Sequence, residues 1–374
     1  MTILSVIPSF NEVFSEEGGW FNPENSHQID RWLIFDWITP HIEAIIQSHI
    51  RNTFSPFEVE FAYINNPRLN AQVKLFVLED KAYIGLNVGS AFTIFNYFFQ
   101  ALSHPNLLTN IGNPKSEENE KKKIQGVIFN INSDGTINQT YMNGQPMIEY
   151  FPNDPIRMNY ARLLSLHSII FLIEHEIAHL VNGHLGLRSH RRHIGNRLDR
   201  FSEQVLEWDA DSWATTQGVG RVIKHTSQLP DEMPEPIRWI YSSFENDLSA
   251  WLFSIISYFL LNSSVPFDID KLEVYDHPPA PLSASYVLAT TLEHLSTKST
   301  ENFFQKFEEM NNGVDVGKQS LETISVLTGN SIYWDEIKKA NSEPALNHTQ
   351  KLISRWKEMR PLLETYAYVR KLPD

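Results

Sequence analysis

The sequence contains His175-Glu176-Ile177-Ala178-His179 within a long apolar stretch. Two histidines four residues apart on a helix lie one turn apart on one face, where both imidazoles can reach a single metal ion. The glutamate between them borders the same cleft without being a ligand. It is therefore free to take a proton from a water held at such a metal. Three ionisable groups on an otherwise apolar helix are costly to bury without partners, and a Zn2+ ion is a partner for all of them. The competing reading is two core histidines that match the pattern by chance.

A catalytic zinc takes three protein ligands and leaves the fourth position open. The metzincin arrangement wants glycine three and histidine six positions after the second histidine; Asn182 and Leu185 stand there and exclude it. His184 falls at the expected helix end, and three successive turns of one helix rarely wrap one ion. Glu207, 28 residues beyond His179, opens Glu207-Trp208-Asp209-Ala210-Asp211-Ser212-Trp213-Ala214. Glu207 and Asp211 share a helix face, and Ala210 and Ala214 are small enough for close packing. Glu207 is expected as the third metal ligand. Asp211 is expected to accept the outer N–H of a ligating histidine, with His184 as a further supporting neighbour. Taken alone, the acidic pair reads rather as a solvated helix face, and only beside the two histidines as a ligand pair. His277, in Asp276-His277-Pro278-Pro279, is either a catalytic electrophile beside the metal or a turn residue before the diproline. Tyr286 is a second donor or a core residue.

The elements that must hold these residues are mostly helical. Asp154-Pro155 is a helix start, an N-cap acceptor followed by proline at the first helical position, and Asn182-Gly183 offers the stop. The intervening pattern is apolar almost all round, so this helix should be central. A second helix is expected from about 202 to just before Gly218. Further helices are expected at 236–244, 248–261, 282–295, 301–310 and 348–370, with a partly helical stretch at 30–50. Short β-rich runs stand at 57–63, 72–77 and 82–88. Ser133-Asp134-Gly135 suggests a hairpin between 126–131 and 136–141, and Asn143-Gly144 marks a further turn. Either 72–77 or 82–88 could be a sheet edge that pairs with an extended peptide. The fold class expected is α+β, a helix-rich body with a small N-terminal β-sheet beside the HExxH helix. The organisation expected is one domain over 1–374: a strand-containing part at 1–150, a zinc-site core at 151–290 and a helical C-terminal part at 291–374.

Composition narrows the function further. The chain has 374 residues, 42% hydrophobic, with a formal charge of −14, which argues against a general nucleic-acid binder. It has no cysteine, which excludes disulfides, thiolate ligands and a cysteine nucleophile. The longest apolar run, 248–261, is shorter than the ~20 residues a membrane span needs. The start of the chain does not read as a signal peptide. A cytoplasmic protein without a membrane span is expected. Two basic clusters stand out. Lys121-Lys122-Lys123 is balanced by neighbouring glutamates, whereas the run from Arg188 to His193 has no acidic neighbour in sequence. The latter reads as a charged loop flanking the helix, or as a dock for an acidic patch on a protein substrate.

His175 to His184 (HEIAHLVNGH), followed by Glu207-x-x-Ala210-Asp211-x-x-Ala214, resembles the gluzincin metallopeptidases, in which two helices supply His, His and Glu. The chain is similar over about 158–290 to soluble relatives of three groups. The HtpX and CAAX-prenyl-protease group shares the E-x-x-A-D element and a later His-Pro segment. The ImmA/IrrE group shares the trailing histidine, here His184. The phage-exclusion Lit peptidases are built around the same HExxH. The arginine that usually follows the His-Pro segment of the first group is replaced here by Leu282, Ser283 and Ala284. The resemblance implies a zinc-dependent endopeptidase acting on a protein or peptide substrate, possible roles being stress response or phage defence. His175, His179 and Glu207 would hold the metal, Glu176 would act as base and His277 as a helper. Two alternatives from other classes remain at this point: a zinc-containing regulatory or binding protein without turnover, and an interaction protein with no metal.

Overall fold

A computed structural model describes residues 8–26, 30–54, 57–76, 80–118, 128–131, 137–140, 150–228, 235–263, 266–298, 302–329, 331–369 and 372. Among the described residues it is an α+β fold, 71% helical, with a small sheet near the N-terminus. By its contacts the chain divides into two compact units, 1–92 with 172–198 and 357–374, and 93–171 with 199–356.

The first unit contains a mixed sheet of β1 (Trp20–Phe21), β2 (Glu58–Ile64), β3 (Ala71–Phe76) and β4 (Lys81–Asn87), in the order β1-β2-β4-β3. β4 runs parallel to β2, in a register from Glu58 opposite Lys81 to Ile64 opposite Asn87, and antiparallel to β3. Strands buried on both faces read as continuous apolar runs, and β4 is buried from Ala82 to Asn87. It is an interior strand, so the expectation that 82–88 might be an edge is corrected: both its sides are hydrogen-bonded. β3 lies at the end of the order. Phe57 and Ala82 from the sheet side and Leu180 from the end of the HExxH helix form one cluster, which Val73, Leu75, Leu185 and Tyr368 extend. Apolar packing thus fixes the helix end that carries His179 against the sheet.

Among the described residues, the regular elements of the second unit are helices and one antiparallel strand pair, β5 (Ile128–Ile131) and β6 (Ile137–Thr140), where the hairpin is expected. The Lys121-Lys122-Lys123 run and the Asn143-Gly144 turn lie outside the described residues. The helix Phe244–Leu261 is buried along nearly its whole length and packs against Arg200–Ser227, Ala280–Lys298 and Val314–Thr328, as a helix apolar all round must.

The long HExxH helix runs Pro155–Val181. The Asp154 carboxylate accepts from the amides of Ile156 and Arg157 at 2.9 and 3.0 Å, the expected N-cap. Arg157 is fully buried, and its guanidinium donates to the carbonyls of Leu102, His104, Leu107, Leu108 and Ile111 at 2.7–3.1 Å. One cation thereby caps five carbonyls of the 102–111 segment. By length and composition this helix could cross a membrane, but 83% of its most apolar window is buried within the protein.

One helix carries no signal in the sequence, and two local readings are corrected. The run 88–102 is a helix, Val88–Leu102, unsignalled because aromatics and β-branched residues dominate it. Arg188 to His193 belongs to the helix His184–His193, not to a loop. The helix begun at Arg200 does not stop at Gly218 but continues to Ser227. There the indole of Trp251 lies where a side chain would go, so Gly218 provides room rather than a stop.

Candidate metal centre

His175 and His179 project from the last turns of the Pro155–Val181 helix, and Glu207 from the second turn of Arg200–Ser227. Each offers one ligand atom, and these atoms all lie within 4.8 Å of one another. The Nε2 atoms of His175 and His179 are 3.1 Å apart. Two ligand nitrogens about 2.0–2.1 Å from a tetrahedral zinc stand about 3.3 Å from each other. The two rings are thus spaced as one edge of a zinc tetrahedron. Two neutral imidazoles that both presented lone pairs across this gap would repel, and a cation removes the repulsion. Two imidazoles and one carboxylate, with no thiolate, form the donor set of a catalytic zinc site. The residues fit the metal.

The outer nitrogen of His179 is also held. Its Nδ1 lies 2.8 Å from Nδ1 of His184, which is fully buried. For His179 to ligate through Nε2, its Nδ1 must carry the proton and donate it to His184, which fixes both the tautomer and the ring plane. His184 lies beyond the first helix, where the Asn182-Gly183 stop places it. Gly183 adopts φ +85°, and a Cβ there would stand 2.6 Å from the Leu363 carbonyl. Only glycine makes this turn without strain, and it starts a new helix whose first residue folds back onto His179. The Tyr368 amide closes the same end, donating to the Val181 carbonyl at 2.8 Å.

Glu207 and His277 also meet. Nδ1 of His277 lies 3.1 Å from Oε2 of Glu207, with the histidine side chain 72% exposed and the glutamate 7%. Gln204, one turn before Glu207, is a contributor the sequence did not flag. Its amide nitrogen donates to the carbonyls of Leu272 and Tyr275, both at 2.9 Å, and so pins the segment that leads to His277. Its amide oxygen faces Nε2 of His348 at 2.5 Å. Burial pushes the His348 imidazole down to about 4, so the ring is neutral at pH 7. Asp211 accepts from the Ser283 hydroxyl at 3.0 Å. Tyr286 is buried; loss of solvation raises the pKa of its phenol, and the Asp211 carboxylate pushes the same way. Glu174, buried beside His175, pairs with His49 at 3.2 Å. Nothing in the sequence linked those two residues, which are 125 positions apart. Glu176 is buried in the same helix turn as the two histidines.

No protein-family model matches the chain, and neither a curated protein nor a solved structure does. The chemistry of the site must be argued from its own residues.

Proposed function

We propose that the protein is a zinc-dependent endopeptidase of the gluzincin type that hydrolyses a peptide bond in a protein substrate. The observation that carries this reading is the convergence of His175, His179 and Glu207, ligand atoms within 4.8 Å, with Glu176 on the same helix turn. These three residues would hold the metal. When bound there, zinc supplies a Lewis acid that acidifies water and polarises a carbonyl oxygen.

The remaining work falls to the chain. Glu176, the residue next to ligand His175, accepts the proton of the attacking water and returns it to the leaving amine. A site that only held structure would have no use for a base at that position. His184 keeps the proton on Nδ1 of His179. His277 engages Oε2 of Glu207 and would help hold the carboxylate as a ligand, and Gln204 positions the segment that leads to His277. The motif resemblance adds a cellular role to the proposal: cleavage of a regulatory or host target inside the cell, in stress or phage defence.

The test compares wild type with Glu176→Gln in a proteome-wide search for new N-termini, with zinc measured on both proteins purified without an affinity tag. Wild type should generate new N-termini, and the variant should generate none while keeping about one zinc per chain. Cleavage by the variant would refute the assignment of the base. Zinc-free wild type would refute the metal centre.

A further inference from the structure

The protein carries 45 acidic against 31 basic side chains, and most described cations are matched to an acid. Lys74 pairs with Glu17, Lys81 with Glu58 and Glu60, Lys306 with Glu245, Lys351 with Glu273, Arg355 with Asp199 and Arg360 with Glu364. In the helix His184–His193 and the turn after it, Arg191, Arg192 and Arg197 break this pattern. From His184 to Leu198 the sequence holds Arg188, His190, Arg191, Arg192, His193 and Arg197 and no acidic residue. Among the described residues, Arg191, Arg192 and Arg197 meet no carboxylate within salt-bridge distance, and Nε of Arg191 is buried with no hydrogen-bond partner. Arg192 donates to the backbone carbonyl of Arg188, at 3.4 Å.

This surface is joined to the helix end that carries His179. The buried face of the helix is His184 and Leu187, while Ser189, His190, Arg192 and His193 face solvent. The Tyr366 ring packs on His190, with centroids 5.7 Å apart, and against Gly186. The first residue of the helix, His184, contacts the proposed ligand His179. At 1.5 Å per residue, Arg191 and Arg192 lie roughly 10–12 Å along the axis from His184. An extended peptide covers that distance in about three or four residues.

We infer that the helix His184–His193, with Arg197, is a docking surface for an acidic stretch of the protein substrate, placed a few residues from the bond to be cut. This rests on the peptidase reading and adds a substrate class to it. Complementary charge acts here against a background of −14, which repels an acidic chain in bulk and makes local recognition selective. The same net charge favours an acidic peptide over a nucleic acid, whose long phosphate array would meet that repulsion along its whole length.

The test is a binding measurement that needs no turnover. Zinc-loaded full-length Glu176→Gln protein is titrated against a fluorescein-labelled poly-glutamate decapeptide, a Gly-Ser decapeptide and a ribo-oligonucleotide of equal charge. The acidic peptide should bind, the neutral one should not, and added salt should weaken binding. Adding R191E/R192E/R197E should weaken the acidic peptide about tenfold or more, whereas R191K/R192K/R197K should retain it. The reversed variant should also raise KM for an acidic substrate with kcat little changed. Unchanged binding in the reversed variant overturns the inference, as does equal affinity for the oligonucleotide. Because binding is read on an inactive variant, a chain that docked the peptide but cleaved nothing as wild type would sink the peptidase reading and leave the docking result standing.

Discussion

His348 offers the most direct test of how the Glu207 helix is held. The ring sits against Gln204 and Phe201, near the Glu273–Lys351 pair, and burial lowers its pKa from 6.5 to about 4. Between these values the unfolded chain binds a proton that the folded chain does not. Stability is therefore intact above 6.5 and is lost as pH falls from 6.5 toward 4. The whole window corresponds to about 3 kcal/mol, and the part between pH 7.5 and pH 5 to about 2 kcal/mol. Other groups titrate over the same range, so the informative quantity is a difference. His348→Gln keeps an N–H donor for the Gln204 amide oxygen but cannot titrate. Urea unfolding of both proteins at pH 7.5 and pH 5, in EDTA so that the metal drops out, should show wild type losing about 2 kcal/mol more than the variant. Parallel losses would refute the claim that His348 is held neutral by the fold.

Three further outcomes follow from the same contacts. Gln204→Leu strands the Leu272 and Tyr275 carbonyls, each worth ~1–3 kcal/mol if left unpaired; urea unfolding should show the loss, and competition with a chelator should show zinc affinity about tenfold lower. Arg157→Met removes the partner of five buried carbonyls and should cost ~3–5 kcal/mol in urea unfolding without changing zinc stoichiometry. Gly218→Ala places a Cβ 2.4 Å from the Trp251 indole, so despite the helix preference for alanine its melting temperature should fall, by the equivalent of ~1–2 kcal/mol.

What the sequence made legible was what local chemistry dictates. Asp154-Pro155 could only open a helix, and Asn182-Gly183 could only close one. The three main strands were marked by short β-branched and aromatic runs, each placed within a residue or two. The HExxH spacing and the Glu207–Asp211 spacing each follow from helical geometry, so the candidate ligands could be named without a structure. Where local signals conflicted, the reading failed. Val88–Leu102 is a helix built from strand-type residues because tertiary burial on all sides outweighs their propensity. The glycine at 218 looked like a stop because nothing in sequence shows the indole that fills its place.

The supporting residues behind the ligands were the least legible: His184 could be named as a neighbour of the site, but not the way it reaches His179. Read along one helix, its position five residues after His179 points away from the site and suggests a packing role. The contact exists only because the helix ends at Gly183 and a second begins, a turn fixed by the carbonyl of Leu363 and the backbone of Tyr366 and Ala367. Those residues lie nearly two hundred positions away in sequence. The same holds for Gln204, whose partners come from 272–275 and from His348, and for Glu174, whose partner is His49. Ligands can be read from periodicity because one helix carries the spacing. The groups that set a ligand's tautomer and plane come from whatever the fold brings behind it, and periodicity holds no information about them. If His184 does fix His179, then His184→Phe, which fills the same buried space without an acceptor, should weaken zinc binding by about 10–100-fold while unfolding at nearly the same urea concentration in EDTA. Equal losses in metal affinity and apo stability would assign His184 to packing alone.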